Sequence, residues 1–491
     1  MSDHRVDVGG VLVSTHHYIG GQRIGSPHTF EDRSPLDWSQ KLADVARGDA
    51  STADAAITAA VDAFPAWAAL GPTGRGPILR RLAELIDANI EPLATVECLD
   101  MAMLHESLRL RVLSRGARNF RAYADLAEQY DERVWSSNGT SNRVMRMPAG
   151  PSVVITPWNA PFMLSTWKCA PALAAGNTVV LKPAEWSPLS CSLLADLSHE
   201  AGVPPGVFNV VQGIGEEVGA ALVADPRVRR ISFTGSPETA RHIGVAAARN
   251  IVPFTAELGG KGPFVVFADA DLDAAARKAA AQYDDSGQVC LAGTRLLVEA
   301  SVRDEFLVRF HQHTDAHILG DSRDPATTIS PMIHPEHLAR VAGFVGRARD
   351  HGDTVVRGGR VFQRADGSSG LWYEPTLVEP LSNDSEVVQH EIFGPVLTFQ
   401  TFEDEAEAVN LANSTPYGLS AIVYTGSQAR AQRMGRAIRA GTIWTNCFLV
   451  RDLTAPFGGC GISGMGREGG DYALDFCSDL KTFQVLDGTT A

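Results

Sequence analysis

Ser152-Val-Val-Ile-Thr-Pro-Trp-Asn159 and Asn177-Thr-Val-Val-Leu-Lys-Pro-Ala-Glu185 decide the fold. Each is a short apolar run that ends in a polar cluster, as a fully buried strand does when it leaves the core. Pro161 suits the first turn of a helix running to about residue 174. A second helix carries Leu189, Leu193, Leu194 and Leu197. Residues 208–211 and 230–233 repeat the strand theme. Strands alternating with helices imply a parallel sheet covered on both faces, a doubly wound α/β domain. In that architecture ligands bind beyond the C-terminal ends of the strands. Thr156-Pro-Trp-Asn159, Lys182-Pro-Ala-Glu185 and Thr234-Gly-Ser236 fall there.

Working outward, a second α/β unit begins near Gly259, with strands expected at residues 264–267, 376–379, 396–402 and 422–424. Towards the N-terminus, residues 52–70 read as an Ala-rich helix. Ile78, Leu82, Leu85 and Ile86 place an amphipathic helix reaching about Cys98, and a third helix covers about residues 106–130. Residues 133–147 read as a hairpin around Asn138-Gly139, a type I′ turn signal. A polar hairpin between globular parts suggests an arm reaching another subunit, and residues 480–485 alternate like an edge strand able to pair with it. The expected division is 1–132 with 150–258, then 259–469, with 133–149 and 470–491 as arm and tail. An exposed edge needs covering, so a homo-oligomer, dimer or tetramer, is expected.

With 491 residues, 44% hydrophobic and 20% charged, the chain is globular and long enough for about two to four domains. Its net charge of −14 with no basic block argues against nucleic acid or anionic membranes as partners. No run reaches the ~18 apolar residues of a membrane span, and residues 1–10 lack the apolar core of a secretory signal. Seven scattered cysteines without a CxxC read as reduced thiols of a cytoplasmic protein, with no metal site.

Three residues carry chemistry. Cys290, in Gly287-Gln-Val-Cys290, reads as a cysteine entering a helix near its N-terminus, where the dipole would lower the thiol pKa. Glu257, in Glu257-Leu-Gly-Gly-Lys261 after a strand at residues 252–256, can act on a water. The Asn159 amide can donate to an oxyanion. Taken singly, each has a plainer reading: a structural cysteine, a capping or ion-paired glutamate, a turn asparagine.

Taken together they are no longer independent. Thr156-Pro-Trp-Asn159, Lys182-Pro-Ala-Glu185, Phe233-Thr-Gly-Ser236, Glu257-Leu-Gly-Gly-Lys261, Gly287-Gln-Val-Cys290, Glu391-Ile-Phe-Gly-Pro-Val396 and Pro456-Phe-Gly-Gly459 occur in this order. Over nearly the whole chain the set resembles the aldehyde dehydrogenase superfamily. The resemblance implies a Rossmann-type NAD-binding domain, an α/β catalytic domain and a β-hairpin oligomerisation arm. It implies Cys290 as nucleophile, Glu257 as general base, Asn159 as oxyanion donor and Lys168 as a supporting lysine. Lys182 and Glu185 match the grip on the adenosine ribose, which favours NAD, with NADP as the alternative. Thr156, Pro157, Trp158, Ala184, Phe233, Gly235, Ser236, Leu258 and Gly259 match the remaining cofactor wall, and Glu391 and Phe393 the nicotinamide end. Phe162, Trp167, Leu291 and Phe457 would surround a small-molecule aldehyde. Relatives that transfer the acyl group to coenzyme A lack a carboxylate at the position of Glu257, so release of a free acid is expected. A cofactor-free thiol esterase and a non-catalytic scaffold are the rival classes.

Arg451-Asp-Leu-Thr-Ala-Pro-Phe-Gly-Gly459, Gly464-Met-Gly-Arg-Glu-Gly-Gly470 and Asn119-Phe-Arg121 resemble the branch that oxidises 2-hydroxymuconic, 2-aminomuconic and carboxymethyl-hydroxymuconic semialdehydes. Arg121 and Arg451 would then form a fork for a substrate carboxylate. Against this, Arg121 can be a solvated helix residue and Arg451 a partner of Asp452. A broad-specificity or betaine-type aldehyde dehydrogenase is the alternative. Asp284-Asp-Ser286 departs from the asparagine-containing stretch of many relatives. Two carboxylates pointing inward would raise the Cys290 pKa, so an outward orientation is expected.

Overall fold

The computed structural model describes residues 4–130, 132–365 and 367–486; the outermost parts of the expected spans, residues 1–3 and 487–491, lie outside these. Among the short N-terminal strands, β1 (His17–Ile19) and β2 (Gln22–Ile24) extend the first large sheet. The sequence reading placed no strands there. Helices α1 (Ala50–Ala69), α2 (Gly71–Ala88) and α3 (Ile90–Met101) follow. The helix expected to run to Cys98 breaks at Asn89, whose amide donates to the Leu85 carbonyl at 2.8 Å, a local bond that competes with helix continuation. Before α4 (Leu113–Glu128) lies a π-helical turn, Leu108–Val112, a widened geometry that recurs at functional sites.

The hairpin forms as read: β3 (Arg133–Ser137) and β4 (Thr140–Pro148) flank Asn138 and Gly139, with φ of 53° and 71°. Both central residues are left-handed, as a type I′ turn requires. Next come β5 (Ser152–Ile155), α5 (Pro161–Ala174), β6 (Val179–Lys182), α6 (Leu189–Glu200), β7 (Phe208–Val210), β8 (Arg230–Thr234), α7 (Pro237–Asn250) and β9 (Phe254–Glu257).

The second unit contains β10 (Pro263–Val266), α8 (Leu272–Ala280), β11 (Arg295–Glu299), α9 (Arg303–Asp315), α10 (Pro335–His351), β12 (Thr354–Arg357), β13 (Thr376–Glu379), β14 (Val396–Phe402), α11 (Glu405–Ala412), β15 (Ser420–Tyr424), α12 (Gln428–Ala437) and β16 (Thr442–Thr445). The chain then returns with β17 (Gly464–Met465), α13 (Gly470–Phe476) and β18 (Ser478–Leu486).

The first sheet has the order β17-β9-β8-β5-β6-β7-β1-β2, and β9-β8-β5-β6-β7 are parallel. The order reverses between β5 and β8, so the loops after these two strands open the crevice where doubly wound sheets bind ligands. The second sheet runs β12-β13-β14-β11-β10-β15-β16, parallel except at its β12 edge. In the third, β18 pairs antiparallel with β4 from Ser478↔Pro148 to Leu486↔Thr140, so the tail covers the arm within one chain. Its outer strands keep open edges, and Val134, Trp135, Phe483 and Leu486 are exposed on it.

Candidate active site

Where the two large sheets face each other lies a cavity of about 460 Å³, lined among others by Asn159, Glu257, Cys290, Arg115 and Arg451. Asn159 lies in the loop after β5, Glu257 ends β9, and Cys290 lies in the irregular connection between α8 and β11, whose backbone is left-handed at Asp285 and Ser286. No helix begins at Cys290, which corrects the expected dipole effect. Burial, Glu391 and Glu257 push its thiol up to about 12, and Arg451 opposes them. The turn is tight for a steric reason. Gly287 has φ of 65°, and a Cβ there would lie 2.3 Å from the Gly394 carbonyl oxygen, so this loop packs directly on the 391–395 loop.

The Asn159 amide donates one hydrogen to the Gln288 carbonyl at 2.8 Å. Its second amide hydrogen remains for the cavity. Glu257 is 5% exposed, and neither carboxylate oxygen has a hydrogen-bond partner. Burial and the Glu468 carboxylate hold its pKa well above the usual range, against Lys168, Arg467 and Arg451. Lys168 does not enter the cavity. Its ammonium donates to Glu468, to Ser232 Oγ at 3.1 Å and to the Phe233 carbonyl at 3.2 Å. Glu468, which the sequence reading passed over inside a quoted motif, also accepts from Trp167 Nε1 at 2.6 Å.

Most of the expected cofactor residues lie at or just after the C-terminal ends of β5, β6, β8 and β9, with Glu391 and Phe393 in the loop before β14. Lys182 Nζ, buried, meets Glu185 Oε2 at 3.0 Å. The Ala184 carbonyl accepts from Ser187 N, Gly235 N donates to the Glu257 carbonyl at 3.1 Å, and Leu258 N to the Ser463 carbonyl at 2.9 Å. Thr156 Oγ1 lies 3.0 Å from Ser165 Oγ, and Ser236 Oγ caps α7 by accepting from Thr239 N at 3.1 Å. Phe233 is buried, and Pro157 joins Thr156 to Trp158. Trp158 stands edge-on to Phe393 at 5.3 Å. Glu391 Oε1 accepts from Gly260 N at 2.9 Å, and burial raises its pKa to about 7. Phe393 has φ of 61°, a strained left-handed backbone held by His337 Nε2 donating to its carbonyl at 2.7 Å.

Of the expected substrate residues, Trp167, Leu291, Arg451 and Phe457 line the cavity. Phe162 and Arg121 do not. On α5 the face with Ala160, Met163, Leu164 and Trp167 points inward at i, i+3, i+4 and i+7 spacing, and Phe162 falls off it into the core beside Gly116. Arg121 pairs with Asp87 at 2.5 Å on the surface of α2. It lies one turn beyond Arg118, the last arginine of its helix to reach the cavity. Arg115 and Arg118 were missed. Their i, i+3 spacing was visible, but which turn of the helix meets a cavity built from other elements was not. The outward expectation is corrected for Asp285, which lines the cavity, whereas Asp284 is not among the lining residues; neither is named among the charges that shift Cys290.

Arg115 and Arg451 converge on one ring. Their guanidinium carbons lie 5.3 and 5.7 Å from the Trp167 centroid, and that of Arg451 is 3.7 Å from Phe457. Burial, then Arg451 and Arg118, lower Arg115 to about 10, and its Nε is buried without a partner. Asp452 turns away and accepts from Thr454 N at 2.9 Å. Among the described residues no carboxylate forms an ion pair with Arg115 or Arg451.

The chain belongs to the aldehyde dehydrogenase family, which it matches over residues 24–483, and it is an oxidoreductase acting on aldehydes. It is 40% identical over 481 residues to 2-hydroxymuconic semialdehyde dehydrogenase of Pseudomonas sp. (strain CF600), covering 96% of this chain and 99% of that one. It is 38% identical to 2-aminomuconic semialdehyde dehydrogenase of Danio rerio, covering 96% and 97%. Betaine aldehyde dehydrogenase of Staphylococcus aureus in complex with NAD+ superposes with a TM-score of 0.94 at 34% identity, covering 98% of this chain and 96% of that one.

Proposed function

We propose that the protein oxidises a carboxylated semialdehyde to the acid with NAD, through an acyl group carried on Cys290. The observation that carries the substrate reading is the pair of unpaired guanidinium groups, Arg115 and Arg451, in the cavity that holds Cys290. Half-buried like charges that form no ion pair are costly, and a substrate carboxylate satisfies both by charge-assisted bonds. A trimethylammonium substrate would meet like charge there, which opposes the betaine-type reading.

A dinucleotide fits the crevice. Glu391 Oε2 lies where a Cβ on Gly259 would come within 1.8 Å, so the glycine leaves that carboxylate room at the nicotinamide end. Glu185 is positioned to accept from ribose hydroxyls and to repel a 2′-phosphate, which favours NAD over NADP. The bound cofactor would accept a hydride. The chain supplies the rest. The Cys290 thiolate adds to the aldehyde carbon, and the Asn159 amide donates to the alkoxide oxygen. After hydride loss the acyl group remains on sulfur as a thioester. Glu257 takes a proton from water, the water oxygen bonds to the acyl carbon, the C–S bond breaks and the sulfur returns as thiolate. Lys168 and Glu468 form an ion pair behind this base. The seven cysteines are free, which supports a reducing compartment such as the cytoplasm. No described helix is long and apolar enough to cross a membrane. The open edges and exposed apolar side chains of the arm sheet support a homo-oligomer.

The test is a comparison of 6-oxohexanoate with hexanal. Arg451→Ala and Arg115→Ala should each lower kcat/KM for the carboxylated aldehyde about 10–100-fold, chiefly through KM, and change hexanal by less than about threefold. Equal losses on both substrates would remove the reading. Arg121→Ala should alter neither, and should cost at most about 1 kcal/mol as an exposed ion pair.

The pH dependence has a definite sign. Glu257 has a raised pKa, so it is neutral below that value and becomes a base only above it. The Cys290 thiol is raised as well, so both groups gain activity as protons leave. Turnover should therefore rise with pH from above the usual carboxylate range and go on rising toward the Cys290 value of about 12. A flat or falling profile in steady-state NADH formation would contradict it.

A further inference from the structure

We propose that Gln288 is a positioning residue, whose buried side-chain amide fixes the backbone carbonyl that aims Asn159 at the oxyanion. This rests on the reading of Asn159 as oxyanion donor given above. The Asn159 amide is anchored through Nδ2, which donates to the Gln288 carbonyl at 2.8 Å, and among the described residues its side chain has no other hydrogen bond. An amide is planar, so the direction of its second N–H follows from where that carbonyl stands.

The Gln288 side chain fixes the carbonyl. It is 3% exposed. Its Oε1 accepts from Ile333 N at 3.0 Å, and its Nε2 donates to the Asp285 carbonyl at 3.4 Å and the Pro331 carbonyl at 3.5 Å. Ile333 N can only donate and the two carbonyls can only accept, so the place calls for a side chain that accepts at one atom and donates at the next. A carboxylate of the same length meets the first demand and fails the second. Removing the amide would also leave a buried N–H without a partner.

The turn needs this anchor. Asp285 (φ 52°, ψ 33°) and Ser286 (φ 53°, ψ 31°) are consecutive left-handed residues, neither of them glycine, and such strain persists only where the surroundings over-determine it. Ser286 Oγ donates to the Ser330 carbonyl, so residues 330–333 grip the turn at Ser286 and again at Gln288. The same segment leads into α10, whose Arg340 donates to the carbonyls of Ile392 and Glu391. The 391–395 loop in turn packs on Gly287. These contacts close a ring around the turn, with the Gln288 amide as its link nearest to Cys290. The oxyanion exists only once sulfur has bonded to the aldehyde carbon, so a displaced donor raises the barrier and leaves aldehyde binding unchanged.

The test is a double-mutant cycle read in kcat with hexanal and 6-oxohexanoate, which differ at the clamp and form the same oxyanion. Asn159→Ala should lower kcat about 10²–10³-fold on both. Gln288→Met, of equal length and without the amide, should lower kcat about tenfold or more on both, with KM within about threefold. In the Asn159→Ala background the same change should cost less than about threefold, whereas a merely structural defect would act with or without Asn159. Alkylation of Cys290 by iodoacetamide, which forms no oxyanion, should stay within about threefold of the wild-type rate. Gln288→Glu, which matches the shape, should show the same pattern and is the second variant if the first folds poorly. Gln288 variants that keep kcat, that lose as much without Asn159, or that slow alkylation in step with kcat would overturn the inference. Asn159→Ala with undiminished kcat would instead overturn the oxyanion reading, so the two failures are distinguishable.

Discussion

Cys290→Ala should lose at least about 10⁴-fold in kcat for aldehyde oxidation and still bind NAD within about threefold of the wild-type affinity. Every proposed step passes through the Cys290 sulfur, and of the seven cysteines it alone is among the residues lining the cavity. The thiol, pushed up to about 12, is neutral at neutral pH, so its removal leaves no charge without a partner. The fold should survive, and melting should show little change. NADH absorbance gives the rate and titration calorimetry the affinity. NADH formation at the wild-type rate would dismiss covalent catalysis by this residue.

Glu257→Gln should separate the two halves of the reaction. Glutamine matches the shape of the side chain and cannot accept a proton from water. One equivalent of NADH per active site should form rapidly, followed by a steady state slower by about 10²–10⁴-fold. Intact mass should then show an acyl group on Cys290. The variant should be at least as stable as the wild type, because Glu257 has no hydrogen-bond partner to lose and Glu468 opposes its charge. Undiminished steady-state turnover would refute the role of the base. Release of an acyl-coenzyme A in place of the free acid would refute hydrolysis.

The strand–helix rhythm from Ser152 to Glu257 was legible because buried parallel strands are short apolar runs whose polar ends face the crevice. The hairpin was legible because Asn138-Gly139 meets a requirement local to two residues. The tail's pairing with β4 followed from its alternation. The short strands β1 and β2 carry weaker patterns and gain their place in the first sheet only because β1 joins β7. Arg121, Phe162 and Asp285 were misplaced for one shared reason. Periodicity tells which residues share a face, but not which turn of a helix reaches a cavity or which way a strained turn aims a carboxylate.

Chain chemistry by itself thus settled the class of fold and the order of the reactive groups, since both depend on neighbours within a few residues. Tertiary packing alone decided the rest. It brought Arg115 and Arg451 from separate elements onto Trp167, turned Asp285 inward, and left Cys290 in a turn rather than at a helix terminus. Such facts depend on how two sheets and their loops meet, and burial and charge at that meeting are set by residues hundreds of positions apart.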